Sequence, residues 1–277
     1  EWVFTDLPVH QTGPILTPFY PTVSPQDFAY ILKEAEVRII FFSNQELYDR
    51  FQPALQEIPT LKYVYAFDEV RGVDNWKKLA ATPEGDQKRK EVCDRIGSET
   101  ITTIIYTSGT TGAPKGVMLC HRNIVSNVVD SAPLFHFARK DDRALSFLPL
   151  NHIFEKMVTY VYIKGGLGIY YAESMDTIGD NLREVKPMVF TCVPRLLGKV
   201  YERIMAKGHE LTGIKRALFF WAVGLGRKYD NINKGSIFYQ MQLALANKLI
   251  FSKWREALGG RVDAVVSGSA AMSEKLI

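Results

Sequence analysis

Cysteine is scarce in this sequence, and its scarcity removes several classes of protein at once. Cys93, Cys120 and Cys192 are odd in number and far apart. That spacing excludes a disulfide framework and any CxxC metal knuckle, and it fits a reducing compartment with three thiols filling small spaces. Long apolar runs are also missing. The longest, "ALFFWAVGLG" at Ala217–Gly226, is stopped by Arg216 and Arg227, far short of the ~20 residues of a bilayer-spanning helix. A dominant charge is lacking too, since a formal net charge of +4 is too small to point to a partner. With 47% hydrophobic and 23% charged residues, the composition excludes broad disorder. The length of 277 residues allows two domains or one large one at ~150 residues per domain. Glu1 opens the sequence without a methionine and "SEKLI" ends it where a helix is expected to start, so a longer parent chain is expected.

What is present is an alternation of apolar, β-rich runs with amphipathic stretches. "GPILTPFY" (Gly13–Tyr20) and "VRIIFFS" (Val37–Ser43) read as strands. Between them "SPQDFAYILKEAE" reads as a helix with Ser24 as N-cap, Pro25 in the first turn and Asp27 at the capping-box position. Strand, helix, strand predicts a right-handed βαβ unit on a parallel sheet. The polar stretch Thr82–Arg95 is expected to be an exposed connector before the core strand Ile101–Thr107. Further strands are expected at Arg143–Leu150, Leu167–Ala172, Met188–Val193 and Asp263–Gly268. Helices are expected at Arg122–Ser131, Ile153–Lys164, Thr177–Val185, Arg195–Lys207 and over much of Leu211–Leu258. The class is α/β with stacked, mostly parallel sheets flanked by helices.

One stretch carries chemistry. "YTSGTTGAPKGVML" (Tyr106–Leu119) places a buried strand before a loop, Ser108–Gly116, and a helix from His121–Asn123. Ligands of open α/β sheets sit beyond the carboxyl ends of strands, where such loops lie. Glycines let backbone N–H groups surround an anion, hydroxyls add donors, and a lysine supplies a point charge. Thr107, Ser108, Gly109, Thr110, Thr111, Gly112 and Lys115 together read as a nucleotide-phosphate cradle; the alternative is an ordinary Gly/Ser/Thr surface loop. Lys115 follows Pro114 and precedes Gly116, so this is not the GxxxxGK[ST] loop of P-loop NTPases. No GxGxxG is completed at Gly165–Tyr170 or Gly224–Tyr229, and no GxSxG surrounds Ser267 or Ser269.

"YTSGTTGAPKG" resembles the signature loop of the adenylate-forming superfamily, which includes acyl-CoA synthetases, luciferases and peptide-synthetase adenylation domains. "PILTPFYPTVSPQDFAYILKEAEVRIIF" is similar to its early βαβ region, and "FLPLNHIFEKMVTYVYIKGG" (Phe147–Gly166) to the segment with a substrate-side histidine. "KPMVFTCVPRLLGKVYERI", the basic and aromatic helical stretch after it and "LIFSKWREALGGRVDAVVSGSAAMS" resemble long-chain fatty-acid–CoA ligases, over essentially the whole sequence. The resemblance implies an incomplete N-terminal AMP-binding domain, with residues 1–97 as a first α/β part and connector and 98–277 as the phosphate-loop part. It implies ATP-dependent conversion of a fatty acid to an acyl adenylate and then to a CoA thioester, with Mg2+ accompanying ATP and CoA as co-substrate.

On that resemblance Lys115 and Thr107 take the catalytic role, by positioning and charge stabilisation rather than nucleophilic attack. His152 becomes a wall of the acyl-adenylate site, against the plainer reading of a histidine satisfying a helix start. Glu155 and Lys156 stand where the family tends to have Glu-Arg and are expected to be a structural ion pair. Gly268, Ser269, Ala270 and Ala271 correspond to a loop that packs on adenine, with Ser269 in place of a glycine and Ala271 in place of a proline. No residue is expected to bind a metal directly.

Lys199–Arg261 holds twelve basic residues against four acidic ones, a net +8, with Phe219, Phe220, Trp221, Phe238 and Trp254 among them. Three readings rank in order: a solvated helical face over an aromatic core, a peripheral contact with anionic membrane, and a nucleic-acid patch with no recognition motif behind it. The expected location is the cytoplasm, peripherally at the inner face of the membrane, with no nucleic-acid partner.

The superfamily's later motifs and its mobile C-terminal domain do not occur in these residues. Two hypotheses therefore stand: an enzyme, with this chain as most of its large domain, or a non-catalytic nucleotide-binding fragment. Within the enzyme class the runner-up is a fatty-acyl-AMP ligase or a CoA ligase for another carboxylate. These 277 residues are expected not to complete either half-reaction alone; fatty-acid-dependent pyrophosphate release by the isolated chain would overturn that.

Overall fold

The structure, a computed structural model, describes residues 1–79, 82–107, 112–135, 137, 141–230 and 235–273. The chain forms two compact units, Glu1–Asn127 and Val128–Ile277.

The first unit opens with α1 (Trp2–Thr12) and α2 (Pro25–Glu34). As expected, Ser24 caps α2: its hydroxyl accepts from the Asp27 amide at 3.0 Å and donates to the Asp27 carboxylate at 2.8 Å. β1 (Ile39–Phe42), α3 (Gln45–Leu55), β2 (Tyr63–Ala66) and β3 (Asp74–Asn75) follow. The three strands form one parallel sheet in sequence order. Phe28 and Leu32 of α2 pack with Ile40, Phe42, Phe51 and Ile58 into its core. "GPILTPFY" does not become a strand of that sheet. It contributes a single parallel bridge, Leu16 with Thr103, because Pro14 and Pro18 in this stretch lack the N–H a central strand must donate. The polar stretch after Thr82 is exposed, as expected, but helical: α4 (Pro83–Cys93) has Thr82 as N-cap, accepting from the Gly85 amide at 3.0 Å, and buries no residue.

β4 (Ile101–Thr107) and β5 (Lys115–Cys120) close the unit's second sheet, followed by α5 (His121–Ser131). Their pairing is antiparallel, so the expected strand-loop-helix order is a strand-loop-strand-helix order. β5 escapes a sequence reading because four of its six residues are exposed and show no alternation. Gly116 sits where a Cβ would come within 2.7 Å of Ile104 Cγ2 and 3.2 Å of the Tyr106 ring. The absent side chain leaves that space to Ile104 and Tyr106 of the partner strand.

The second unit carries a four-stranded sheet, every neighbour parallel, in the order Gly168–Tyr171, Arg143–Ser146, Val189–Cys192, Ala264–Ser267. Its elements are β6 (Arg143–Ser146), α6 (Ile153–Gly165), β7 (Gly168–Tyr171), α7 (Ile178–Val185), β8 (Val189–Cys192), α8 (Pro194–Glu210), α9 (Gly213–Gly226), α10 (Ile237–Ala246), α11 (Ser252–Ala257) and β9 (Ala264–Ser267). All expected strands and helices of this half are present, with shorter strands. β8 is buried along its whole length, as a central parallel strand covered on both faces should be. Ala144, Val158, Tyr162, Met188 and Val189 fill one face of the sheet. Leu145, Leu182, Val185 and Phe190 fill the other.

Candidate functional site

In the first unit the described candidate residues lie at the loop end of the β4–β5 hairpin. Thr107 and Lys115 are register partners, the last pair before the loop, and both are exposed. Gly112 has φ +96°, a left-handed backbone that favours glycine. Ser108, Gly109, Thr110 and Thr111 lie outside the described residues. The Tyr106 hydroxyl is near the Glu34 carboxylate of α2, and burial first, then that carboxylate, raises the phenol's pKa. Sequence reasoning gave Tyr106 no role. The one hint was its place at the head of the glycine- and hydroxyl-rich motif.

In the second unit the remaining candidates lie at the carboxyl ends of parallel strands. The chain leaves β6 and reaches His152, the N-cap of α6; its Nδ1 accepts from the Phe154 amide at 3.2 Å. An accepting Nδ1 puts the neutral ring's proton on Nε2. The plain reading of His152 as a helix-start group is thus realised, and it leaves Nε2–H as the ring's free-standing donor. One residue past β9, Gly268 packs on Phe154, since a Cβ there would come within 2.6 Å of the ring. Phe154 therefore brings the His152 turn and the Gly268 loop together. Ser269 takes φ +68°, a left-handed conformation that a glycine would adopt without strain. Ala270 and Ala271 follow it, exposed. Asn151 Nδ2 and Ser267 Oγ, which flank His152 and Gly268 in the chain, are buried and meet no hydrogen-bond partner among the described residues. Such orphaned polar atoms are costly unless a ligand or water satisfies them.

The expected ion pair of Glu155 with Lys156 is replaced by a different arrangement. Both residues are fully buried, and neighbours on a helix point about 100° apart. Ser146 of β6 donates its hydroxyl to Glu155 Oε1 at 2.5 Å, and Thr191 of β8 donates to Oε2. The Lys156 ammonium lies 6.0 Å from the Tyr160 ring centre. Glu155 is thereby a tie between α6 and two sheet strands, directly behind His152. No motif names Ser146 or Thr191, since a lone hydroxyl inside a strand reads as ordinary β-propensity.

The AMP-binding enzyme family matches residues 1–277. Long-chain-fatty-acid–CoA ligase ACSBG2 of Xenopus laevis is 31% identical over 291 residues, covering 99% of this chain and 39% of that protein. Human long-chain-fatty-acid–CoA ligase 1 is 31% identical over 300 residues, covering 100% and 41%. The chain thus spans about two fifths of the length of these curated relatives. Among solved structures, the adenylation domain of a carboxylate reductase from Mycobacterium chelonae superposes with a TM-score of 0.63 at 20% identity, over 98% of this chain and 42% of that one. The A domain of a carboxylic acid reductase from Segniliparus rugosus, in complex with AMP and a co-purified carboxylic acid, gives 0.62 at 21% identity, over 99% and 44%.

Burial raises the Glu155 carboxyl pKa, with the two hydroxyls pulling the other way. The folded chain keeps the proton above pH 4.5, where the unfolded chain releases it, so stability falls as pH rises through that window. Glu155→Gln should match the parent near pH 4 and melt at higher temperature near pH 7. Glu155→Ala should lose about 3 kcal/mol near pH 4 and less near pH 7, because only the parent loses stability over that window. A glutamine advantage that shrinks with rising pH in thermal melts contradicts this account.

Proposed function

Because this chain belongs to the AMP-binding enzyme family, we propose that the protein carrying it activates a long-chain fatty acid with ATP. The fatty carboxylate attacks the α-phosphorus, pyrophosphate leaves, and the acyl adenylate forms. The CoA thiolate then attacks the acyl carbon and AMP departs. The observation that carries the reading is the hairpin end where Thr107 and Lys115 face each other across the last rung. Lys115 is exposed there, as a point charge for phosphate oxygens must be, and Thr107 adds a hydroxyl donor. Their work is positioning and neutralisation of charge as it develops on the leaving pyrophosphate.

The other strand ends suit the acyl and adenine parts. His152 offers Nε2–H beside the buried Asn151 amide, and the exposed backbone of Ser269–Ala271 follows Gly268. Mg2+ is commonly held through substrate phosphates with few protein ligands, so it would arrive on ATP and neutralise phosphate charge there. The long-chain assignment draws on the relatives' names; a fatty-acyl-AMP ligase or a ligase for another carboxylate would share the same hairpin.

ATP–pyrophosphate exchange by the longer protein, with carboxylates from acetate to oleate, tests this reading. Exchange should rise with chain length, and Lys115→Ala should lower it by roughly 100-fold. Exchange with short or aromatic acids only would overturn the long-chain assignment, and no exchange with any acid would overturn the activity.

A further inference from the structure

α9 and α10 form an antiparallel hairpin whose inner face is complete. The Tyr239 hydroxyl donates to the Leu225 carbonyl at 2.9 Å. Ala222, Leu225 and Ala246 form a buried cluster with Trp221, Tyr239, Ile250 and Phe251 around it. Trp254 closes the far end against Phe219, with ring centres 5.7 Å apart. Every aromatic group needed to hold the hairpin together is therefore accounted for on one side.

The other side is apolar as well. Ile237, Met241, Leu245 and Leu249 recur every fourth residue, joined by Phe238, and these five are 39% to 80% exposed. α10 itself contains no charged residue. A helix apolar on both faces does not belong in plain water. Charge is concentrated around it instead: Lys215 and Arg216 in the first turn of α9, Arg227 and Lys228 after its end, and Lys248, Lys253 and Arg255 after α10. Over residues 213–257 eight basic residues stand against two acidic ones, a net +6, which exceeds the +4 of the whole chain.

We propose that this hairpin is a docking surface for an anionic lipid bilayer, with the Ile237–Leu249 stripe in the acyl boundary and the flanking lysines and arginines among the headgroups. An uncharged apolar stripe bordered by cations is the pattern of helices that lie in the membrane interface. Two other occupants fit worse. A nucleic acid would reward the cations and leave the stripe in water. A second copy docking by the same face would set +6 against +6. Among the described residues no helix is long and apolar enough to cross a membrane, so the contact is peripheral.

The experiment is cosedimentation of the chain with phosphatidylcholine vesicles, with and without about one third phosphatidylglycerol. Binding should need the anionic lipid and weaken with salt. The triple variant Ile237→Ser/Met241→Ser/Leu245→Ser and the charge variant Lys248→Glu/Lys253→Glu/Arg255→Glu should each bind roughly tenfold more weakly. All six side chains are exposed, so melting temperatures should stay near the parent's; the parent's salt dependence reads the electrostatic half without any variant. Equal sedimentation with both vesicles, or full binding by the serine variant, overturns the proposal. So does a dimer in light scattering that the serine variant abolishes, which would make a second copy the occupant. The longer protein should bind the same vesicles; if it does not while the chain does, the rest of that protein covers the stripe and the proposal fails.

Discussion

A carboxyl group with no solvent exposure, held between two hydroxyls from neighbouring parallel strands, is the constraint on which the second unit's site depends. Glu155 can be buried only because Ser146 and Thr191 donate to both of its oxygens, and an uncompensated carboxyl there would carry a cost of several kcal/mol. Those hydroxyls are available side by side because β6 and β8 run parallel and in register. The tie fixes the first turn of α6, and that turn does two further things. It presents His152 as N-cap, and it sets Phe154 where only a glycine at 268 can approach. One buried acid thus connects sheet topology to the two loops at the sheet's carboxyl edge.

The first unit reaches a comparable result by other means. Its candidate loop is carried on a two-stranded antiparallel hairpin rather than on a parallel sheet. The Tyr106 side chain packs over Gly116 near the end of that hairpin, and its hydroxyl is near Glu34 of α2. Further along β4, Leu16 pairs with Thr103, and the Thr103 hydroxyl donates to the Leu16 carbonyl at 2.8 Å. The hairpin is therefore anchored along its length, while Thr107 and Lys115 at its loop end stay exposed, as the proposed phosphate site requires.

What could be read in advance followed from period and punctuation. In the second half, long helices with 3.6-residue patterns and short β-branched runs alternate cleanly, and α6, α7 and α8 stand within three residues of their expected bounds at each end. The first half hid more. α1 carries an internal proline at Pro8 and little amphipathic pattern, and is held by contacts such as the Thr102 hydroxyl against His10. α4 buries nothing and reads as a connector until its capping threonine is seen in place. The candidate phosphate loop drew notice because its glycines, hydroxyls and lysine are chemically unusual together, and of its residues only Thr107, Gly112 and Lys115 fall among those the structure describes. The Ser146–Glu155–Thr191 tie was not legible, because its members are 45 residues apart and meet only through strand pairing.

The proposed activity requires that the Thr107–Lys115 hairpin end receive the phosphates of ATP. Amide hydrogen exchange of the longer protein, with and without saturating ATP and Mg2+, tests this. Peptides covering residues 107–116 should gain the largest protection on adding nucleotide, and Lys115→Ala should remove it. Nucleotide binding that leaves these amides unprotected while slowing exchange elsewhere would contradict the claim.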